Sequence, residues 1–298
     1  MRVITREFEL ATRSDRFTLI PIGDVHIGMA ACDEDRFVHT VQRVARDPRA
    51  YWIGMGDYVD GVNRSDPRFD PAVLATWMKP SDLTDIAKAQ RDRFLSIVKP
   101  IAGKCLALVE GNHETAVKRH YERDIYSEIV AGVKEAGLLS ADAPLAIGYA
   151  GWLILKFRRS KTFADGGGGA TSTLRVYLHH GHGGGKLAGG KALTMERTLL
   201  TTECDLALMG HVHSSIVVPG AVQGVDGAGK PVLRKRRGAY TGTFLRHAYE
   251  GQDTYSEIKG YLPGVTDHIE VHLRPGADHP DDRLRLMTGG YEALSVGD

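Results

Sequence analysis

The chain lacks the features that mark secreted and membrane proteins. It contains only three cysteines in 298 residues, Cys32, Cys105 and Cys204, and all three lie in or beside apolar runs. This small, odd number argues against a disulfide framework and predicts buried free thiols in a reducing compartment. The charged N-terminus has no apolar signal segment, and no run is long enough to cross a membrane. We therefore expect a cytoplasmic protein with no membrane partner.

The chain also lacks a large excess of either positive or negative residues. The formal net charge is +1, with 25% charged and 42% hydrophobic residues. This balance argues against a strong global field for nucleic acid, although a local basic face is compatible with it. The apolar content is ordinary for a globular protein and suffices for a sizeable core.

Strands alternate with helices along most of the chain. The predicted strands are 2–11, 16–22, 51–54, 104–109, 151–158, 173–179 and 205–209. The predicted helices are 33–47, 82–98, 120–136 and 191–202. Short strands and turns dominate after residue 213. This order predicts one α/β domain over residues 1–275 and a weakly patterned C-terminal tail over residues 276–298.

Five apolar runs end at a glycine beside residues that can bind metals. The runs are FTLIPIGDVH, YWIGMGDYVD, CLALVEGNHE, LRVYLHHGH and DLALMGHVH. The polar residues at these ends are Asp24, His26, Asp57, Asp60, Asn112, His113, His180, His211 and His213. Glycine lets the backbone turn sharply as a strand ends, and the ends of neighbouring strands can converge on one site. Oxygen and imidazole ligands gathered there suit two divalent metals.

Each block alone has a simpler explanation. Asp24 and His26 would point to one side of an extended backbone, but a lone D-x-H is commonly a surface loop. Asp57 could cap a helix, and Asn112 could belong to a capped turn. These explanations fail jointly, because seven of the 13 histidines lie in the strand-end blocks: His26, His113, His179, His180, His182, His211 and His213. We interpret the blocks as one composite metal site.

The order of these blocks is specific, although each block is common. D-x-H, G-D-x-x-D, G-N-H-E, H-G-H and G-H-x-H follow one another over residues 23–213, which resembles the calcineurin-like metallophosphoesterase superfamily. The resemblance implies a four-layer α-β-β-α sandwich of two mixed β-sheets flanked by helices, with a dinuclear metal site at strand ends. Stretches such as WIGMGDYVD also resemble metallophosphoesterases often carried by bacteriophages and prophages.

The resemblance also implies a role for each matching position. The implied metal ligands are Asp24, His26 and His213 for one ion, Asn112, His180 and His211 for the other, and Asp57 for both. His113, oriented by Asp60, would donate a proton to the leaving oxygen or stabilise the transition state. Mn²⁺ is the expected metal, with Fe, Zn, Ni, Co and Mg as alternatives. A hydroxide bridging the two ions would attack the phosphorus in line with the leaving group.

Two assignments leave alternatives open. His180 precedes a glycine as the family's ligand does, whereas strand alternation turns His179 to the opposite face and His182 could contact substrate. Protein phosphatases of this superfamily follow the second aspartate of G-D-x-x-D with Arg-Gly, but here glycine and valine follow Asp60. The missing arginine favours a phosphodiesterase or nuclease acting on nucleic acid, DNA or RNA, or on a nucleotide. The alternatives are a phosphomonoesterase acting on protein or small molecules and a non-catalytic metal-binding scaffold.

Several cationic residues have no fixed place in this interpretation. The glycine-rich loop 183–190 carries Lys186 and is either a substrate-gripping loop or a solvated turn. GKLAGGKA nearly matches a phosphate-binding loop, but Ala192 stands where Ser or Thr would hold Mg²⁺. Arg64 is a further candidate for substrate binding. The basic run 234–237 predicts a solvated strand edge, which would contact nucleic-acid phosphates if two side chains faced the metal cleft.

Overall fold

The computed structural model describes residues 1–64, 66, 69–160, 169, 171–183, 185–251, 253–258, 260–279 and 282–288. The strands are β1 (Arg2–Leu10), β2 (Phe17–Ile22), β3 (Ala50–Gly54), β4 (Cys105–Val109), β5 (Ala146–Gly148), β6 (Ala150–Arg159), β7 (Thr171–His179), β8 (Leu206–Met209), β9 (Ser215–Val225), β10 (Pro231–Thr243), β11 (Asp267–Leu273) and β12 (Leu284–Thr288). The α-helices are α1 (Glu34–Arg46), α2 (Ile86–Val98), α3 (Asn112–Tyr121), α4 (Ile125–Ala136), α5 (Ala188–Thr201) and α6 (Tyr255–Ile258). Short 3₁₀ helices span Pro71–Val73, Pro80–Thr84 and Lys99–Lys104.

The strands form two mixed sheets that meet at β10 and β11. The β1 sheet has the order β1-β6-β7-β8-β10-β9, and the β2 sheet has the order β5-β4-β3-β2-β11-β12. Two residue pairs, Gly242 with His268 and Thr243 with Asp267, connect them. Strands β2 to β5 run parallel to one another, whereas β11 is antiparallel to β2. The parallel order brings the ends of β2, β3 and β4 to one edge of the sheet.

Three apolar clusters separate the layers. Leu153 of β6 and Ile269 of β11 belong to the cluster that both sheets contribute to. Trp52 of β3 belongs to a second cluster with residues of α1, α2 and α4. Met195 of α5 packs in a third cluster with Tyr240 of β10. The resulting order of helices, sheet, sheet and helix confirms the predicted α/β fold class.

The predicted helix at 33–47 forms as α1, and its sequence explains both its start and its orientation. The Asp33 carboxylate accepts the N–H of Arg36 at 3.3 Å and caps the N-terminus. Phe37, Val41 and Val44 are buried, so the apolar positions that recur along the sequence form the face toward the β2 sheet.

The single helix predicted at 120–136 is two helices. α3 ends before Glu122, whose φ of 55° is left-handed, and the Asp124 carboxylate then caps α4 by accepting the Ser127 N–H. α3 itself begins at Asn112, directly after β4, so two predicted site residues lie in its first turn. The apolar pattern does not reveal this helix, because its buried residues are a glutamate and a single valine.

The predicted C-terminal tail contains regular structure. β12 pairs with β11 in antiparallel orientation, and Leu284 is buried. Residues 280, 281 and 289–298 of that segment lie outside the described residues, as do residues 161–168 and 170 of the glycine-rich connection between β6 and β7. The division into a domain of residues 1–275 and a tail stays a prediction.

Two expectations from the sequence concern the cysteines and membrane-spanning segments. The three cysteines are free and buried, as predicted. Within the described part of the chain, none of the helices combines the length and apolar character that a membrane crossing requires.

One buried carboxylate holds the turn between β1 and β2. Asp15 is 6% exposed, and its Oδ2 accepts the N–H of Ala11 at 2.8 Å and that of Thr12 at 3.3 Å. Arg49, just before β3, lies 2.7 Å from Asp15 Oδ1. Burial alone would raise the pKa of Asp15, but these partners outweigh it and lower the pKa to about 2. The turn therefore depends on the charged form.

We expect D15N to lower the free energy of unfolding by about 1–2 kcal/mol at neutral pH, because the amide loses charge-assisted hydrogen bonds. The folded pKa lies below the unfolded value of about 4, so this contribution is complete above that value and is lost as the pH falls toward 2. Urea denaturation of both proteins at pH 7 and pH 3 measures the difference. A difference that does not shrink at pH 3 would contradict the assignment.

Candidate metal centre

The backbone at the predicted ligands is left-handed. Among the described residues, seven non-glycine residues have positive φ, and five of them are predicted ligands: Asp24, His26, Asp57, His211 and His213. The extended backbone expected for the D-x-H block is therefore wrong, because the first two of these residues each have a φ of 49°. Such conformations cost about 1–3 kcal/mol each and persist only where surrounding contacts enforce them.

Hydrogen bonds between the loops enforce this backbone. The N–H of Asp24 donates to the carbonyl of Gly56 at 2.9 Å, and the N–H of His26 donates to the carbonyl of Asp57 at 3.1 Å. The N–H of His211 donates to Asp24 Oδ2 at 2.8 Å. Gly56 has a φ of 90°, and a Cβ there would lie 2.6 Å from His180 Nδ1. Glycine at this position thus lets the β3 loop approach the histidine after β7.

Asp24, His26 and His213 form the first group that could hold a metal ion, with one ligand atom from each lying within 4.8 Å of the others. The Nε2 atoms of the two histidines are 3.2 Å apart, and His213 Nε2 is 3.4 Å from Asp24 Oδ1. That carboxylate oxygen is buried and has no hydrogen-bond partner among the described residues. A buried acceptor without a donor fits a cation, since desolvation otherwise costs free energy.

Asp57, His180 and His211 form the second group. Asn112 Oδ1 completes it, 2.9 Å from His180 Nε2 and 2.7 Å from His211 Nδ1. His180 Nδ1 lies 2.8 Å from the carbonyl oxygen of Met55. Because a carbonyl only accepts, Nδ1 carries the proton and Nε2 is the ligand atom.

Asp57 lies between the two groups. Its Oδ2 is 3.3 Å from His180 Nε2 and 3.9 Å from His26 Nε2. Its Oδ1 accepts the backbone N–H of His113 at 2.9 Å. One carboxylate therefore faces both groups, which is the geometry implied for a bridging ligand.

The ionisable side chains of the centre shift one another's pKa values. Burial would raise the pKa of Asp57, but His180 and His113 outweigh burial and hold it well below its usual range. Burial would lower the pKa of His180, but Asp57 outweighs burial and raises it to about 10. Burial, with His113 and His213, lowers the pKa of His26 well below its usual range. The carboxylate is thus in the form that binds a cation, and a cation in the second group would displace the proton on His180 Nε2 while Nδ1 keeps its own.

We expected the Asp60 carboxylate to orient His113, but the main-chain carbonyl of Asp60 is the closer acceptor. Its Nδ1 lies 2.5 Å from the main-chain carbonyl oxygen of Asp60, whereas the Asp60 carboxylate is 3.6 Å from that nitrogen. The carbonyl accepts, so Nδ1 carries a proton. Burial would lower the pKa of His113, but Asp57 and Asp60 outweigh it and raise the pKa. The catalytic role of His113 stays a prediction.

The remaining histidines of the H-H-G-H block lie outside both groups. His179 Nδ1 accepts the Gly181 N–H at 2.7 Å, and burial lowers the pKa of His179 to about 4. His182 is exposed, and its ring lies 5.6 Å from that of His179. The geometry therefore places His180 with the ligands, in line with the preferred assignment.

The cationic candidates are not members of either metal group. Lys186 is exposed, and Arg64 is exposed on the wall of a cavity of about 520 Å³ beside α3. Arg236 of the basic run donates to the carbonyls of Leu199 and Thr202 at the C-terminal end of α5. Lys191, the other lysine of the glycine-rich stretch considered for gripping substrate, instead donates from its Nζ to the Val212 carbonyl at 3.2 Å and anchors the loop of the last two histidines.

Glu114 holds the backbone of two loops of the centre, a role that the motif assignment missed. It is 0% exposed, and its two carboxylate oxygens accept four backbone N–H groups. The donors are those of Asp57, Tyr58, Val59 and Gly111, at 2.9, 2.8, 3.3 and 2.9 Å. Burial and the nearby Asp57 raise the pKa of Glu114 to about 7. A glutamate at the third helical position is a known capping signal, so the sequence did contain a clue.

Fold and geometry together define a two-sheet sandwich with these two groups that could hold a metal ion and a third one beside them, formed by His26, Asp60 and His113. The family model for the calcineurin-like phosphoesterase matches residues 17–215 of the 298. The chain belongs to this family and is a metal-dependent phosphoester hydrolase.

Solved structures similar to this chain share little sequence with it. A metallophosphoesterase from Sphaerobacter thermophilus is 12% identical, with a TM-score of 0.37, over 92% of this chain and 89% of that one. Chaetomium thermophilum Vps29 is 11% identical, with a TM-score of 0.34, over 91% and 94%. The Pseudomonas putida nuclease MPE is 12% identical, with a TM-score of 0.30, over 91% and 86%. No curated protein sequence matches the chain. At these values, the similarities carry no argument about substrate.

We expect H180A to lose one of two bound metal ions, because it removes a ligand nitrogen that faces both Asp57 and Asn112. H179A is the matched control, since it removes the neighbouring imidazole from outside the group. Metal analysis after dialysis of Mn²⁺-loaded proteins gives the stoichiometry. Loss of metal from H179A with retention in H180A would reverse the assignment.

We expect E114Q to weaken metal binding by about 10- to 100-fold, the usual cost of losing a residue that holds ligands in place. The amide introduced at position 114 would point its own N–H donors at backbone N–H groups, which in the wild-type protein donate to the Glu114 carboxylate. Calorimetric titration with Mn²⁺ measures the affinity. D15N is the control, because it also removes a buried carboxylate that accepts backbone N–H groups, in a turn that carries no ligand. Equal affinities in E114Q and wild type would contradict the expected role.

Proposed function

We propose that the protein is a phosphodiesterase that cleaves a nucleic acid or a nucleotide. The supporting observation is the residue after Asp60, where the superfamily's protein phosphatases carry an arginine. Here it is Gly61, with a φ of 69°, and a Cβ there would lie 2.7 Å from Val117 Cγ2. A side chain at position 61 would be both strained and crowded, so no phosphate clamp of that kind can arise from it. Without an arginine clamp at position 61 for a dianionic group, a diester is the better substrate.

The ligand residues fit two divalent cations. Asp24, His26 and His213 would hold one ion, and Asn112, His180 and His211 the other, with Asp57 shared. Mixed oxygen and nitrogen donors suit Mn²⁺, our first choice, as well as Fe, Zn, Ni, Co or Mg. When bound, such a pair supplies Lewis-acid chemistry, polarising the phosphoryl group and acidifying a water molecule.

His113 supplies the proton chemistry of the proposed reaction. Its Nδ1–H is committed to the Asp60 carbonyl, so the proton that moves is the one on Nε2. The protonated imidazole would donate this proton to the oxygen that leaves the phosphorus. The raised pKa of His113 favours the charged form that can do so.

We expect the Mn²⁺-loaded protein to hydrolyse bis(p-nitrophenyl) phosphate at least about tenfold faster than p-nitrophenyl phosphate, a preference that needs only about 1.4 kcal/mol. A panel of single- and double-stranded DNA, RNA and cyclic nucleotides then identifies the substrate class. H180A, purified in the same way, gives the background from contaminating enzymes.

Each alternative function has its own result in this assay. Turnover of the monoester alone would contradict the proposal and favour a phosphatase, with Arg64 as the first residue to test. A protein that holds two metal ions but turns over neither ester would favour a non-catalytic scaffold.

A further inference from the structure

Gln90 of α2 is a buried polar residue that the proposed reaction does not explain. It is 0% exposed, and its Oε1 accepts the N–H of Gly61 at 2.8 Å. Its Nε2 is buried without a hydrogen-bond partner among the described residues. An unsatisfied buried donor destabilises a fold, so its presence calls for a compensating role.

Gln90 also packs against the loop that follows β2. A Cβ on Gly28 would lie 2.2 Å from Gln90 Nε2, and Gly28 has a φ of 102°. Gly28 follows the ligand His26 by two residues, and Gly61 follows Asp60 directly. One amide side chain thus contacts the loops after β2 and β3 from the side of α2.

One peptide group links the hydrogen bond between Gln90 and Gly61 to His113, the predicted catalytic histidine. The N–H of Gly61 and the carbonyl of Asp60 belong to the same planar peptide group, and they point in opposite directions. Gln90 Oε1 accepts from one end of this group, while the other end accepts from His113 Nδ1. Gln90, the peptide and the imidazole therefore form one continuous chain of hydrogen bonds, in which each bond polarises the next.

We propose that Gln90 is a positioning residue for His113. By holding the peptide between Asp60 and Gly61 at its N–H end, Gln90 sets the direction of the carbonyl that orients the imidazole. This inference rests on the proposed function, in which His113 protonates the leaving oxygen. Proton transfer needs a separation of about 2.6–3.2 Å, so a small rotation of the peptide would misplace Nε2.

The test replaces Gln90 with a residue of similar size that cannot accept a hydrogen bond. Q90M, H113A and wild type are assayed with Mn²⁺ on two diesters, one with p-nitrophenol and one with phenol as the leaving group. Phenol leaves poorly and needs the proton more, so a misplaced donor slows its ester more. V98A is the control, because Val98 is also buried, lies about two turns further along the same helix, and packs in the apolar cluster beneath it.

We expect Q90M to lower kcat on the phenyl ester about tenfold, which is part of the about 10²- to 10⁴-fold that general acid catalysis contributes. The loss on the p-nitrophenyl ester should be clearly smaller, with KM and two bound metal ions per chain retained. H113A should show the same dependence on the leaving group with larger losses, and V98A should show none. Q90E, which keeps an acceptor for the Gly61 N–H, should stay near wild type and provides the test if Q90M does not fold.

The outcomes separate this inference from the proposed function. If H113A shows the dependence on the leaving group and Q90M does not, Gln90 has no positioning role while the function of His113 stands. If H113A loses equal activity on both esters, His113 is not the proton donor and the inference about Gln90 fails with it, whereas diester cleavage by the wild type still supports the proposed function. A loss of metal ions from Q90M would also overturn the inference, because it would place the effect at the ligands.

Discussion

Asp57 lies in the loop after β3 and makes contacts both with the loop after β2 and with the start of α3. Its carbonyl accepts the N–H groups of Val25 and His26, and its own N–H donates to Glu114. Its carboxylate accepts from the backbone of His113 and faces imidazoles of both metal groups. These contacts require the left-handed backbone at Asp57, and the conformation of the adjoining loops follows from them. The centre is therefore built around one residue that is both a predicted ligand and a structural junction.

The surroundings of this junction explain how so many polar groups can be buried. Carboxylates and imidazoles alternate, so each charge has an opposite or polarisable neighbour within a few ångströms. Backbone N–H groups satisfy Glu114, which would otherwise be an isolated buried acid. One buried acceptor without a donor among the described residues, Asp24 Oδ1, lies in a group that could hold a cation. Stability and metal binding are thus properties of the same arrangement.

Local sequence patterns predicted the parts of the fold that repeat along the chain. The amphipathic face of α1 and the buried strands are visible because burial follows a period of 3.6 or comes as an apolar run. α3 was not visible, because its inward side chains are mainly a glutamate and a valine. The two side chains of the D-x-H block do lie in one group, but hydrogen bonds to the β3 loop, and not strand alternation, bring them together.

The sequence by itself determined which residues are available to the centre, because five glycine-marked strand ends with oxygen and nitrogen ligands occur in one order. It did not determine how those residues are held. Three contacts join segments about 29 to 57 positions apart. They are the bonds of Glu114 to the loop after β3, the contact of the Asp60 carbonyl with His113, and the approach of Gln90 to Gly61. Only the tertiary structure decides such contacts, because a buried side chain reaches a distant backbone group only when the sheets and helices between them have packed.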